Sequence, residues 1–517
     1  MLLIRMRPSR LSAVLTAAYS ALCAGQTTAH YNVTGTVVNF ATGEPVRRAL
    51  VGVGALLVFT GADGRFQAEN VPTGQTMVSA QKPGFFDCSA MGCGANSSQA
   101  TKTITVGSGG NDVLLKLVPE SKIEGRIVDE DGEPVSNIQV TAMAEHMVNG
   151  LKQYRADGSA NTNEDGHYRI ERLMPGSYLI RTMARPAFLY QIPGFGELPP
   201  QMYPQRFYPN TLDKSAAQAV DLNAGQVADA DFTLTPVSAF RISGSIAPSV
   251  PGISVNAEDA DGEETNVQMR FDPRSGNFSL PFVPAGTWAL NFEYDAGGHP
   301  YYATETVTVG SSDVKGLRIL LQPLASVPVN LVNGSTEVQG IQVQLTPRGK
   351  SGSGRRFGTN SVPSGIPGVP PGSYRALVSG LNNQCLDSLT SGNVDLTRED
   401  LTVAPGSQPQ PINVTLRDDC AALQVAVRSE NQAVKPTVIL IPASRAMEPI
   451  SMQLDPAGSY TFVNLSPGEY QVFAFSSING LEYANPGAMR EFSGQQMTLT
   501  PNQRASVTLD VIAREDK

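Results

Sequence analysis

The chain is poor in histidine, the side chain that most often acts as a general acid or base, and in tryptophan. Only 4 histidines and 1 tryptophan occur among its 517 residues. No Gly-x-Ser-x-Gly sequence is present, which leaves a serine hydrolase of that type unsupported. The histidines also lack the short, regular spacing of zinc ligands; they are His30, His146, His167 and His299. We therefore expect a protein that is not an enzyme and that holds neither a cofactor nor a metal ion.

Charged residues are also scarce, at 16% of the chain. The 47 acidic residues outnumber the 38 basic ones, which gives a net charge of −9, and no block of like charge stands out. This balance argues against nucleic acid as a partner. In contrast, 49 glycines and 37 prolines indicate many turns, and no amphipathic helical pattern extends beyond the N-terminus. The composition predicts an all-β protein.

Long apolar runs are missing except near the N-terminus. There Arg5, Arg7 and Arg10 precede an apolar run that extends from residue 11 to residue 24. This pattern predicts a secretory signal peptide over residues 1–25, with cleavage after Ala24, Gly25 or Ala29 as the alternatives. A retained membrane anchor is the other interpretation, although the run is short for a span. We expect a secreted, periplasmic or cell-surface protein with no membrane span after signal removal.

Five cysteines occur, and the first of them, Cys23, lies in the predicted signal. The remaining even number in an exported chain indicates disulfide bonds. Cys88 and Cys93 could close a small loop, and Cys385 with Cys420 could join two neighbouring domains.

A repeated motif organises the chain. In "DGRFQAENVPTGQT" two glycines stand ten residues apart, Gly64 and Gly74. We expect a tight turn at the first glycine, an aromatic residue facing the core two positions later, a Val or Leu near the strand end, and a second turn. A Tyr or Trp leads the next strand in the later copies. The same pair of glycines returns at Gly166 and Gly176, at Gly276 and Gly286, and at Gly458 and Gly468, while a degenerate copy keeps Gly372.

The spacing of the copies sets the size of the repeating unit. Steps of 102, 110, 86 and 96 residues separate the second glycines at positions 74, 176, 286, 372 and 468. Small β-sandwiches have about 100 residues and seven strands. We therefore predict a tandem array of about five Greek-key sandwiches, with domains at 30–118, 119–237, 238–324, 325–417 (the degenerate one) and 418–513.

Several of these segments resemble a known family. "TGEPVRRALV", "ADGRFQAENVPTGQTMVSAQKPGF", "EDGEPVSNIQV" and "EDGHYRIERLMPGSYLIR" resemble the carboxypeptidase regulatory-like domain, a transthyretin-like (prealbumin-like) sandwich close to the Cna protein B-type repeats. The resemblance implies a non-catalytic module with a structural, adhesive or binding role at the cell envelope, and a polysaccharide or a cell-surface protein as partner. Because this class is grouped with starch-binding-like folds, carbohydrate binding is the alternative function.

The second domain departs from the pattern by an insertion over residues 184–214 that is rich in aromatic residues and proline. One interpretation is that the insertion covers a sheet edge or the next domain. The other is a ligand surface, since aromatic faces stack on sugar rings or prolines. Its candidate ligand-binding residues are Tyr190, Phe195, Tyr203, Phe207 and Tyr208.

Trp288, the single tryptophan, stands where other copies have Tyr178, Tyr374 and Tyr470. This equivalence favours a structural role within a strand over a sugar-stacking role. The basic sequence "RGKS" at 348–351 lacks the earlier glycine of a phosphate-binding loop, so we interpret it as a flexible basic loop.

Overall fold

A computed structural model describes residues 29–86, 100–109, 111–187, 200–259, 264–265, 267–295, 300–332, 340–348, 357–359, 364–428, 435–455 and 458–514. In these ranges nearly all regular structure is strand, which confirms the predicted all-β class. The helical exceptions there are a four-residue helix, α1 (Pro486–Met489), and a 3-10 turn at Lys214–Ala216. No helix in the described ranges is long and apolar enough to cross a membrane.

The chain divides into two compact units. The first comprises the described residues of Met1–Ile123 together with Glu171–Gly176 and Leu222–Ala228, and the second comprises Glu124–Ile170, Ser177–Asp221 and the described residues of Asp229–Lys517. The described strands form ten sheets, which group along the chain into five pairs.

The first pair of sheets lies in the first unit. Its strands are β1 His30–Asn39, β2 Leu50–Val53, β3 Leu56–Phe59, β4 Arg65–Pro72, β5 Gly74–Gln81, β6 Thr101–Val106 and β7 Asp112–Leu117. The sheet orders are β4-β1-β7 and β3-β2-β5-β6. The opening strand β1 pairs antiparallel with β4 and parallel with the closing strand β7. Val33 and Val37 alternate with exposed residues and are fully buried, as a strand with one core face requires.

The second pair of sheets contains the longest hairpin of this sandwich and the insertion. Its strands are β8 Ser121–Asp129, β9 Gln139–Val148, β10 Leu151–Asn161, β11 His167–Leu173, β12 Gly176–Thr182, β13 Arg185–Pro186, β14 Gln201–Tyr203, β15 Arg206–Phe207, β16 Ala219–Leu222, β17 Val227–Asp229 and β18 Phe232–Leu234. One sheet has the order β10-β9-β12-β15 and the other β11-β8-β17. The closing strand β18 again runs parallel to the opening strand β8.

The third sandwich extends from residue 237 to residue 323. Its strands are β19 Val237–Ala247, β20 Ser254–Glu258, β21 Glu264–Thr265, β22 Arg270–Asp272, β23 Asn277–Pro284, β24 Gly286–Asp295, β25 Pro300–Val309, β26 Val314–Leu320 and β27 Gln322–Pro323. Strands β13 and β14 of the insertion join its first sheet, in the order β13-β14-β19-β23-β22. The insertion therefore pairs with the opening strand of the next sandwich, as the first of its two interpretations predicts.

The last two sandwiches follow the same plan. The strands of the fourth are β28 Ala325–Leu331, β29 Gln342–Pro347, β30 Phe357–Gly358, β31 Ser364–Val369, β32 Gly372–Ser379, β33 Cys385–Ser391, β34 Val394–Asp395, β35 Leu401–Val403 and β36 Ile412–Arg417. Those of the fifth are β37 Ala421–Arg428, β38 Thr437–Pro442, β39 Ile450–Gln453, β40 Ser459–Leu465, β41 Gly468–Phe475, β42 Gln495–Leu499 and β43 Arg504–Asp510. The parallel pairs β28–β36 and β37–β43 repeat the pairing of opening and closing strands.

A glycine in the opening strand makes room for the repeat's aromatic residue. Gly35 lies directly opposite Phe66 in the register of β1 and β4, and Gly244 lies opposite Phe278 in that of β19 and β23. A Cβ built on Gly35 would stand 2.6 Å from the Phe66 ring and 2.3 Å from the carbonyl oxygen of Val113 in the closing strand. At Gly35 the opening strand therefore lies too close to the Phe66 ring and to the closing strand to accommodate a side chain.

The prediction of a core-facing aromatic residue is wrong in the fifth sandwich. Phe66, Tyr168 and Phe278 are buried, but Tyr460 is 39% exposed. Its partner in the register is Val425, whose β-branched side chain is fully buried and fills the space that a glycine leaves in the earlier copies. Tyr460 therefore stays outside this core and packs its ring edge-on against another aromatic ring, that of Phe462.

The hairpin of β9 and β10 reaches the fifth sandwich. Its tip, Asn149 and Gly150, has φ values of 49° and 76°, as a type I′ turn requires. The carbonyl oxygen of Gly150 accepts a hydrogen bond from the Ala484 amide at 2.9 Å, and the Asn149 side chain donates to Glu448 Oε1 at 3.1 Å. The Lys152 amide donates to Glu482 Oε1 at 3.2 Å, across 330 positions of sequence. A sandwich near the start of the array is thereby joined to the last one.

The fourth and fifth sandwiches share part of their core. Ala446, which follows β38 of the fifth, packs in the apolar core of the fourth, and its carbonyl oxygen accepts from the Val378 amide at 2.8 Å. Cys385 and Cys420 form a disulfide across the same junction, with their Cα atoms 5.7 Å apart. These two sandwiches are therefore tied by covalent, apolar and hydrogen-bonded contacts.

Candidate functional site

A cavity of about 620 Å³ lies where the insertion meets the third sandwich. Its size falls within the usual range for small-ligand sites. Strands β14 and β19, the turn before β24 and the loop after β25 supply the wall. The apolar part of the wall includes Met202, Pro204, Leu212, Phe240, Pro284 and Trp288.

Trp288 is fixed in this wall by a bond that recurs along the array. Its indole N–H donates to the carbonyl oxygen of Pro284, four residues earlier, at 3.0 Å, and its side chain is largely buried. The hydroxyls of Tyr374 and Tyr470 bond in the same way to the residues four positions before them, each at 2.7 Å. In these three motifs the bond ties the second turn to the strand that follows, in agreement with the structural role expected for Trp288.

Removal of one of these hydroxyls gives a measurable prediction. Tyr470→Phe is expected to lower the free energy of unfolding by about 1 kcal/mol, because the buried carbonyl oxygen of Ser466 loses its donor. Tyr460→Phe, at an exposed ring, is the matched control, with a change of no more than about 0.5 kcal/mol. Urea unfolding of both variants provides the comparison. Equal losses of unfolding free energy would show that the buried hydrogen bond of Tyr470 does not stabilise the fold.

The same tyrosines predict a loss of stability in alkali. Burial raises the pKa of Tyr470 to about 12, and it raises the pKa of Tyr374 to about 12 as well. In the unfolded chain these groups ionise near pH 10. The stabilisation is therefore complete below about pH 10 and is lost as the pH rises towards 12. Denaturation midpoints measured across this interval should fall, and less steeply for Tyr470→Phe.

The polar residues of the cavity wall are few. They include Gln205, Asp259, Thr287 and Ser311. The carboxamide oxygen of Gln205 is buried without a hydrogen-bond partner in the described part of the chain. Because none of the described residues in the wall is Lys or Arg, the cavity offers no cation to an anionic ligand, and its largely apolar wall suits a ligand with an apolar or ring-shaped body. Among the described residues no group of three His, Cys, Asp or Glu side chains could hold a metal ion.

The predicted ligand-binding residues differ in how far they are buried, and two of them lie outside the described part of the chain. Phe207 and Tyr203 are 1% and 9% exposed, so their rings are packed inside the protein and present no open face. Tyr208 is partly buried and meets the ring of Phe232 edge-on, with the centroids 6.0 Å apart. Tyr190 and Phe195 lie outside the described residues, as do the disulfide candidates Cys88 and Cys93.

The residues of the insertion that do line the cavity were not singled out from the sequence. Met202 and Pro204 flank Tyr203, and Gln205 precedes β15. The aromatic content of the insertion drew attention to its rings, whereas the cavity wall is built from the residues between them. Successive side chains of a strand point to opposite faces, so the neighbours of Tyr203 could have been predicted to face the cavity. That prediction would have required the boundaries of β14, which is only three residues long.

Residues 122–187 match the family model described as carboxypeptidase regulatory-like domain. The match lies within the second sandwich and supports the predicted carboxypeptidase regulatory-like domain there. No curated protein matches the chain.

Solved structures with similarity to the chain include two streptococcal pilins. A streptococcal ancillary pilin is 9% identical, over 57% of this chain and 100% of the pilin, with a TM-score of 0.19. The minor pilin of Streptococcus agalactiae is 14% identical, over 43% of this chain and 99% of its own, with a TM-score of 0.20. The Bacillus anthracis TIE protein is 15% identical, over 56% of this chain but 50% of its own, with a TM-score of 0.17.

Proposed function

We propose that this chain is a non-catalytic, exported scaffold with a structural or adhesive role at the cell envelope. The observation that carries the proposal is the set of ties between sandwiches. The hairpin tip at Asn149 and Gly150 bonds to the fifth sandwich, and the fourth and fifth share core residues and a disulfide. Such ties cost conformational freedom and add nothing to a reaction, but they stiffen a body that must hold its form between attachment points.

Two measurements test this proposal. Cells that express the full chain with its own N-terminus should be fractionated, and the protein should appear outside the cytoplasm, in the periplasm, on the surface or in the medium. The purified protein should also show no turnover of peptide or glycoside substrates above that of a heat-unfolded sample. Cytoplasmic retention, or turnover that disappears on unfolding, would contradict the role.

Carbohydrate binding is the second candidate function, and the cavity beside the insertion favours it. The ring of Trp288 contributes to the cavity wall together with Phe240 and Met202. Because the chain has 1 tryptophan, its fluorescence reports on this cavity without a label. We expect neutral oligosaccharides to change the fluorescence in a saturable way, and Phe240→Ala to weaken that response. Tyr208→Phe, at a residue outside the cavity wall, is the control. A fluorescence signal that stays flat across a panel of sugars would remove this candidate.

A further inference from the structure

A cluster of arginines lies where the fourth sandwich meets the loop after β38 of the fifth. Asp400 Oδ1 accepts from two of them, from Arg348 Nε at 3.2 Å and from Arg445 Nη2 at 2.7 Å. Arg375 lies beside them and donates to the carbonyl oxygens of Arg445, at 2.6 Å, and Met447, at 3.1 Å. Two of the three guanidinium groups therefore share one carboxylate, and the third bonds to backbone carbonyl oxygens.

The positive charges in this cluster are incompletely compensated. Burial lowers the pKa of Arg375, and the nearby charges of Arg348 and Arg445 lower it further, while Glu448 and Asp400 act in the opposite direction. Among the described charges that act on this cluster, three cations face two anions, in a chain whose net charge is −9. Because like charges at close range repel one another, an additional anion would be attracted here.

The cluster also has donors to offer. Arg348 and Arg445 have side chains that are 43% and 38% exposed. The bond of Arg348 to Asp400 uses Nε, and its two terminal nitrogens have no hydrogen bond to another described residue. A guanidinium group presents paired N–H donors that match the oxygens of a carboxylate or sulfate group. Arg375 holds the loop of the fifth sandwich in place and so orients the cluster.

We propose that Arg348, Arg445 and Arg375 form a binding site for an oxyanion group, carboxylate or sulfate, carried by an acidic polysaccharide. The choice of a polymer rests on the adhesive role proposed above. A single group on a partly exposed site binds weakly, whereas a polymer presents many groups at high effective concentration. None of these arginines lines the cavity beside Trp288, and the described residues of that wall include no Lys or Arg.

The test uses the full chain, with polygalacturonate as the acidic polymer and galactan as the neutral one. Wild type should bind polygalacturonate and not galactan. Arg348→Gln should raise the dissociation constant about tenfold, the usual effect of one charge-assisted hydrogen bond. Arg398→Gln is the matched control, since Arg398 is 85% exposed and pairs with Asp395, and its effect should stay below about twofold. Asp400→Asn, which removes a competing carboxylate, should tighten binding.

Two further experiments distinguish a specific oxyanion site from general charge attraction and from loss of folding. Inorganic sulfate should displace the polymer at lower ionic strength than chloride does, because the site recognises an oxyanion and not only charge. Thermal unfolding of each variant shows whether it is folded. Asp400→Asn should lower the dissociation constant, whereas Arg348→Gln should raise it, so loss of folding cannot explain both results. Equal effects of Arg348→Gln and Arg398→Gln would overturn the site while leaving an adhesive role intact. Absence of wild-type binding to polygalacturonate would also overturn it, whereas the scaffold role is decided by fractionation.

Discussion

Gly244→Val is expected to lower the free energy of unfolding of the third sandwich by about 3 kcal/mol or more. A Cβ at this position would stand 2.1 Å from the carbonyl oxygen of Leu317. That oxygen belongs to the backbone of β26, which pairs in parallel with β19, so a change of side-chain rotamer cannot relieve the contact. The opening strand β19 and the closing strand β26 would have to separate. Because their pairing joins the two ends of the sandwich, its loss should destabilise the whole domain.

Trp288 makes this prediction measurable within the full chain. It is the single tryptophan and lies in the core of the same sandwich, so its fluorescence follows the unfolding of that sandwich in denaturant. Gly310→Val is the matched control, because no heavy atom lies within 4 Å of the Cβ position there. If the two variants unfold at the same denaturant concentration, the close approach at Gly244 is not a constraint.

Gly150→Ala is expected to release the hairpin tip from the fifth sandwich. The added Cβ would stand 2.4 Å from the Tyr483 ring and 2.9 Å from the Ala484 nitrogen, and φ at this position is 76°. Steric conflict and left-handed strain together should cost about 2 kcal/mol or more. Amide hydrogen exchange gives the readout, since the Ala484 amide donates to the Gly150 carbonyl and should lose its protection.

Gly132→Ala is the control that separates backbone strain at a positive φ from the steric conflict between the hairpin tip and the fifth sandwich. Gly132 has a φ of 84°, but no atom lies within 4 Å of its Cβ position. This variant should show the strain alone, with the protection of Ala484 intact. Tyr483→Ala should relieve part of the conflict, so that its combination with Gly150→Ala costs less than the sum of the two changes. Full protection of Ala484 in Gly150→Ala would show that the tip is not held there.

The repeat could be predicted from the sequence because its physics is local. A glycine for the turn, a buried Val or Leu near the strand end and a Tyr or Trp at the start of the next strand are fixed by neighbours within about ten residues. In three of the four copies the first glycine has the positive φ of a tight turn: Gly64 at 73°, Gly166 at 76° and Gly276 at 73°. The exposure of Tyr460 was missed because it depends on Val425, which is distant in sequence and adjacent only in the register.

The contacts between sandwiches could not be read from the sequence for the same reason. The dipeptide Asn149-Gly150 is a strong hairpin signal and could have identified the β9–β10 turn. Nothing in its composition indicates that Glu482 and Ala484 lie beside it. The arginine cluster is similar, since Arg348, Arg375 and Arg445 come from three separate segments and converge only after folding.

The disulfide between Cys385 and Cys420 has a mechanical consequence. A tensile force applied at the two ends of the chain passes through this bond and bypasses the residues between the cysteines, whose separation in sequence is 35. The part of β33 after Cys385, together with β34, β35 and β36, would then bear no load, and the fully stretched protein would be shorter by about 120 Å than its reduced form. The oxidation state of this bond thus changes how far the chain can extend under load.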